Sequence, residues 1–300
     1  MCLRFPPILS FVSKKSASSS ALFMLVLFTV FLSVPFGSIA QQRTKPADSS
    51  SVWTLAKYDA GSSFRSITHA VTRPIHWKGE DFAKLGGLIA GTAIISLGDR
   101  QTSNFFTQYQ DSYPQPLDDY GFYYAKPVNF LIASASIYGF GLLTKNEAVR
   151  KTGVLIISSS VVAGYSQILA RTAVGRARPK SGFGKYAFEP FAGTQEYFSF
   201  PSGHTVLAVT MAHSIAKQFD NIWIKSGIYA IATLPPLSRL INGEHWLSDV
   251  AFGAAYGIIV VDCMDRFLFN TDAYSYKDKD KKIAWNFTFS SNQIGVVGTF

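Results

Sequence analysis

Cysteine is nearly absent from this 300-residue chain, which has only Cys2 and Cys263. Cys2 lies in a stretch that reads as a removable leader, so Cys263 has no partner and no disulfide framework holds the fold. Its neighbours over Ile258–Met264 are apolar apart from Asp262, which makes it a small packing residue rather than a nucleophile. Charge is also scarce. Asp, Glu, Lys and Arg make up 16% of the residues, well below the usual quarter, while 48% are apolar. A disordered chain is excluded, and membrane contact or an unusually buried bundle is favoured. The formal charge of +9 falls to +6 once Arg4, Lys14 and Lys15 of the first 40 residues are set aside. There is no basic repeat or zinc-finger spacing, so nucleic acid is not an expected partner, and no carboxylate cluster suggests a divalent metal.

The N-terminus carries Lys14 and Lys15, an uncharged run from Ala21 to Phe36, and Gly37-Ser38-Ile39-Ala40 ahead of two glutamines. This layout reads as a signal peptide over 1–40, with an uncleaved anchor helix as the alternative; either implies export. A polar linker and lead-in follow over 41–80. Helices are predicted at 81–98, 127–144, 147–172, 203–219, 225–239 and 246–267, an all-α bundle over 81–270. Two breaks are long enough to be functional: Asp99–Lys126 and the aromatic-rich Arg176–Pro201. In 271–300 a charged link, Lys277–Lys282, precedes alternating Trp285, Phe287 and Phe289, which predicts a short β-hairpin.

Three clusters fall at predicted helix ends. Arg171-x6-Arg178-Pro179 closes the helix 147–172, in a stretch from Arg171 to Lys185 with five basic residues and no acid. Pro201-Ser202-Gly203-His204-Thr205 opens the next helix; Ser202 is a natural N-cap, and free N–H groups at a helix start attract anions. Ser238-Arg239-x5-His245-x3-Asp249 places a histidine and an acid four residues apart, a spacing that lets them hydrogen-bond on one helix face. Three arginines, helix N–H donors and two histidines in different surroundings form an inventory suited to phosphoryl transfer.

With these motifs in order, the sequence resembles the type 2 phosphatidic acid phosphatase (PAP2) superfamily, which also holds bacterial acid phosphatases and vanadium haloperoxidases. The resemblance covers about 147–267. It departs from the family at Arg171, where lysine is usual; the charge is kept, but a planar fork replaces a point charge. The resemblance implies a metal-independent phosphatase acting on a phosphate monoester or lipid (di)phosphate. In that scheme His245 is the nucleophile that forms a phosphohistidine, and Asp249 orients its ring. His204 is the general acid and base, and Arg171, Arg178, Ser202, Gly203 and Arg239 hold the phosphoryl oxygens. No cofactor is expected. Vanadate is an expected inhibitor, or the cofactor under the haloperoxidase alternative; a catalytically silent envelope protein is the non-enzyme alternative. His69, His76 and His213 match no motif and read as structural.

Uncharged runs of about 14 residues at Leu85–Gly98, 18 at Pro127–Thr144 and 19 at Thr152–Ala170 compare with roughly 20 needed to cross a bilayer. If every predicted helix spanned, the motifs would face the cytoplasm. The expectation is therefore a tightly packed, exported, envelope-facing enzyme, soluble or partly membrane-associated. Its loop 183–200 either receives an acyl or prenyl chain or covers the pocket. The oligomeric state is left open.

Overall fold

The computed structural model describes residues 51–124 and 126–270, together with the backbone of 284–290 and 293–299. The expected signal peptide, the linker 41–50, the charged link 271–283 and the side chains of the tail lie outside the described residues. Among the described residues the chain forms ten α-helices. They are α1 (Val52–Thr72), α2 (Gly79–Ser96), α3 (Asp99–Thr107), α4 (Gln115–Tyr124), α5 (Pro127–Leu143), α6 (Glu147–Val174), α7 (Gly203–Ala216), α8 (Ile222–Ala232), α9 (Leu234–Ile241) and α10 (Leu247–Asn270). The fold class is all-α. The backbone of Ala284–Ser290 runs antiparallel to Gln293–Thr299, and this hairpin is not counted as part of the fold.

Of three local features, the first settles an open alternative, since the sequence allows an irregular or a helical lead-in, and the other two differ from expectation. The lead-in is a 21-residue helix, α1, started by Ser51, whose hydroxyl accepts a hydrogen bond from the Thr54 N–H. The break 99–126 is largely helical, as α3 and α4; these are only nine and ten residues long, too short for a periodic apolar pattern to stand out. The helix expected over 225–239 is divided at Thr233, because Pro235 and Pro236 cannot donate to the preceding turn and instead start α9.

The core lies among α6, α7 and α10, where Val154, Leu155, Ala163, Val206, Val260, Val261, Met264 and Leu268 are buried together. Burying each large aliphatic side chain contributes about 1.5–3 kcal/mol. Helices α7 and α10 approach closely because Gly253 and Gly257 have no side chain: a Cβ there would lie 3.1 Å from the Ser202 carbonyl oxygen and 3.2 Å from that of Val206. This contact fixes the start of α7 against the start of α10.

Packing elsewhere is less complete than the expected tight bundle. Helix α2 has no buried residue, and Ile89 and Ile94 on α2, Val128, Leu131 and Ile132 on α5, and Ile168 and Leu169 on α6 are exposed. Among the described residues two helices, Glu147–Val174 and Leu247–Phe269, are long and apolar enough to cross a membrane, or three if the bent pair α2 and α3 forms one span. The second was missed because Asp249, Asp262 and Asp265 interrupt its apolar pattern.

Candidate active site

Helix α6 ends at Gly175, whose φ of 55° is left-handed and whose absent Cβ would meet the Glu189 carbonyl oxygen at 1.8 Å. Only glycine fits there, and the chain turns sharply into the loop 176–201. That loop carries 3-10 turns at Pro179–Ser181 and Gln195–Tyr197 and returns to the start of α7. The three sequence clusters thus meet at one end of the bundle, where α6 stops and α7 and α10 begin.

His245 is buried, and its Nδ1 lies 2.6 Å from the carbonyl oxygen of Ser199. A carbonyl only accepts, so Nδ1 carries the proton and Nε2 keeps its lone pair. The expected direct bond to Asp249 is absent: Nδ1 and Asp249 Oδ2 are 3.9 Å apart. The reason is positional. His245 precedes α10 rather than sitting within it, so the spacing of four does not produce helical stacking, and the loop backbone at Ser199 comes between. Asp249 acts one step removed, accepting from the Ser199 hydroxyl (2.5 Å), the Trp246 N–H (2.8 Å) and Arg176 Nη1 (2.6 Å).

Burial, then the charges of Arg178, His204 and Arg239, hold the His245 pKa well below the ordinary histidine range, against the opposing Ser199 hydrogen bond. His204, at the first turn of α7, is pushed down to about 4, chiefly by burial and by Arg239, while a hydrogen bond with the Phe122 backbone opposes this. These mutual influences place both histidines and two of the arginines around one centre.

Each expected anion-binding residue has its own surroundings. The Arg171 guanidinium lies 4.9 Å from the centre of the Phe198 ring, a contact that its planar fork makes and an ammonium makes less well. Arg178 donates to Glu244, which also accepts from Lys180 at 2.5 Å. Arg239 donates to the Ser238 hydroxyl at 2.9 Å, lies 3.8 Å from Asp118 and packs on Phe122. Ser202 is the N-cap of α7, its oxygen accepting from Thr205 Oγ1 at 2.9 Å, so its hydroxyl proton is unspent. Gly203 serves packing as much as ligand approach: a Cβ would lie 3.2 Å from Gln167 Oε1, while Gln167 Nε2 donates to the Pro201 carbonyl at 2.8 Å.

Four buried nitrogens of this cluster, Arg171 Nε, Arg178 Nε, Arg239 Nε and His204 Nε2, make no hydrogen bond. Among the described residues no group of three or more His, Cys, Asp or Glu side chains is arranged to hold a metal ion. Arg176, Asp99, Ser199, Glu244 and Asp118 were not singled out from sequence. Arg176 was counted only as one of a basic run; the others carry no local signal.

The model of the PAP2 superfamily matches residues 151–270, the segment that supplies all three clusters. Over that segment the chain is similar to the PAP2 superfamily. Among curated proteins it is 29% identical over 153 residues to the lipid A 1-phosphatase of Porphyromonas gingivalis, covering 49% of this chain and 32% of that protein. It is 32% identical over 107 residues to the lipid A 1-phosphatase of Rhizobium etli, covering 35% of this chain and 45% of the relative. The chain thus spans less than half the length of these relatives. The crystal structure of Aquifex aeolicus LpxE aligns with 54% of this chain and 92% of its own, at 22% identity and a TM-score of 0.39.

Proposed function

We propose that this protein is a membrane-associated phosphatase that removes a phosphate group from a lipid phosphate through a phosphohistidine intermediate, without a metal. The observation that carries this reading is the set of four unpaired buried nitrogens, on Arg171, Arg178, Arg239 and His204, around a histidine whose Nε2 lone pair is free. An unpaired buried donor costs about 1–3 kcal/mol, and a tetrahedral oxyanion offers acceptors of the right number and charge to satisfy this set.

In this mechanism the arginines hold the phosphoryl oxygens, together with the Ser202 hydroxyl and the Gly203 N–H. His245 Nε2 attacks phosphorus, forming an N–P bond as the P–O bond to the leaving group breaks. Protonated His204 gives its Nε2 proton to the leaving oxygen. Water then attacks phosphorus and passes a proton to His204, the N–P bond breaks, and inorganic phosphate leaves. In the free site His204 is neutral at pH 7, its pKa being about 4; an arriving phosphate dianion raises it and so supplies the acid with its proton.

The lipid character of the substrate is supported by the similarity to lipid A 1-phosphatases and by the two described helices able to cross a membrane. Exposed Phe183, Phe188 and Phe191 on the loop after α6 offer an apolar surface for the lipid chain. An exported, envelope-facing location is part of the same proposal.

Purified protein assayed on phosphatidate, a prenyl diphosphate and a soluble phosphomonoester tests the reading. Release of phosphate from a lipid substrate in the presence of EDTA, with competitive inhibition by vanadate, is expected. His245→Ala should lower turnover at least about 1,000-fold, since it deletes the nucleophile. Near-normal turnover in that variant would falsify the mechanism.

A further inference from the structure

The buried ion-pair network behind His245 extends beyond the three motifs to a residue on a different helix. Asp99, the first residue of α3, is fully buried and lies outside the segment matched by the family. Its Oδ2 accepts from Arg176 Nη2 (2.7 Å) and from the Ser248 hydroxyl (2.6 Å), and its Oδ1 accepts from the Ser248 N–H (3.0 Å). The other arm of the same guanidinium, Nη1, donates to Asp249 Oδ1 at 2.6 Å and to Ser248 Oγ at 2.7 Å. Arg176 Nε and Nη2 also donate to the Lys185 carbonyl at 3.1 and 3.0 Å. Asp249 then holds the Ser199 hydroxyl, and the Ser199 carbonyl holds His245 Nδ1. Asp99, Arg176, Ser199, Ser248, Asp249 and His245 are each at most 5% exposed, so water does not screen these contacts.

We infer that Asp99 is a positioning residue for the reaction: through Arg176 and Ser248 it fixes Asp249 and the Ser199 peptide, and so the tautomer and aim of His245. This inference rests on the phosphatase reading above. The physical reason is the shape of the guanidinium. Its arms are coplanar, so Asp99 on one arm sets the rotation of the arm that holds Asp249. Without Asp99 the fork keeps the Lys185 carbonyl but only one carboxylate, so the in-plane setting of the arm that holds Asp249 loses its opposing charged contact. The Ser248 N–H, at the first turn of α10, would also lose its acceptor, loosening the helix start that follows His245. None of these atoms reaches substrate; their effect is on geometry at Nε2, where a displacement of about 1 Å costs on the order of 100-fold in rate.

The test uses the full chain with four variants, Asp99→Asn, Ser199→Ala, their double, and Asp99→Glu, with His245→Ala as the inactive reference. Asp99→Asn is expected to lower kcat about 10- to 100-fold while KM and the inhibition constant of inorganic phosphate change less than about threefold, because the arginine cradle is untouched. Ser199→Ala keeps the carbonyl that binds His245 and removes only the link to Asp249, so it should show the same kcat-selective loss, smaller in size. Losses that act along one chain do not multiply; the double variant should fall less than about twofold below Asp99→Asn. Asp99→Glu should recover part of kcat.

Nitrogen-15 spectra of histidine-labelled protein supply a readout independent of turnover. Wild type should show His245 protonated at Nδ1, and Asp99→Asn should show a mixture of the two neutral tautomers. Asp99→Asn with wild-type kcat and an unmixed tautomer would overturn the inference, as would effects that multiply in the double variant or a loss confined to KM. Should Asp99→Asn fail to fold, Ser248→Ala, which removes a hydroxyl and no charge, takes its place with the same expectations. Wild-type protein inactive on every phosphate ester would instead sink the phosphatase reading, and the tautomer measurement would still decide whether Asp99 positions His245.

Discussion

Helix α7 carries a histidine near each end, and the two are used in opposite ways. His204, at its start, has Nε2 buried with no partner, and its pKa is pushed down to about 4. His213, near its end, has both ring nitrogens taken: Nδ1 lies 2.5 Å from the Tyr229 hydroxyl and Nε2 3.0 Å from Asp262. Asp262 in turn pairs with Lys217 at 2.9 Å. At one end the chain leaves donors unsatisfied around a cationic centre, a costly arrangement that an anionic ligand reverses. At the other it closes every bond, which joins α7, α8 and α10 and leaves nothing over for chemistry. Saturation of the ring nitrogens, rather than residue type, separates the two roles.

Substitutions at the two ends should break apart cleanly. The largest effect belongs to His204→Ala, expected to lower turnover about 100- to 10,000-fold on an ester with a poor leaving group, with little change in melting temperature. The loss should shrink on an ester whose leaving group needs no proton, such as a nitrophenyl phosphate. Equal losses on both substrates would remove His204 from the acid role.

A smaller effect is expected from pH. Both site histidines have folded pKa values below the unfolded value near 6.5, so below that value the unfolded chain binds more protons than the folded one. Their contribution to stability is fully present above about pH 6.5 and is lost as pH falls toward 4, by at most about 1.4 kcal/mol per pH unit for each histidine. Thermal melting from pH 7 to pH 4.5 should therefore show a falling midpoint, offset by added inorganic phosphate, which favours the protonated rings. A phosphate-independent midpoint would count against the cradle.

The smallest effect on turnover, and the converse of the first, is expected at the other end. His213→Phe should leave kcat within about twofold while lowering stability by about 0.5–1.5 kcal/mol, because Tyr229 and Asp262 each lose a part-buried hydrogen-bond partner. A collapse of turnover in a folded His213 variant would erase the distinction between the two ends.

Much of the site was legible in the residues themselves. Arg171, Arg178, His204, Arg239 and His245 converge as their spacing at helix ends suggested, because helix termini carry unpaired backbone groups and concentrate there. The relation of His245 to Asp249 was not legible. Spacing of four implies contact only inside a helix, and α10 begins after His245. Nor was Glu244 as a partner of Arg178, or Asp118 beside Arg239, since those contacts join segments far apart in the chain. Among the helices, long periodic segments such as α6 were readable, whereas α3 and α4 were not: they are short, and their apolar residues meet neighbours that no local pattern names.

By itself the sequence determined the all-helical class, the three polar clusters and the ligand chemistry they suit, since these follow from local periodicity, capping and side-chain type. The tertiary structure decided which nitrogen of His245 is free, why Gly203 is glycine, and that Asp99 stands behind Asp249. Those are matters of distance between residues remote in sequence, set by how α3, α6, α7 and α10 pack, and spacing along a chain carries no record of them.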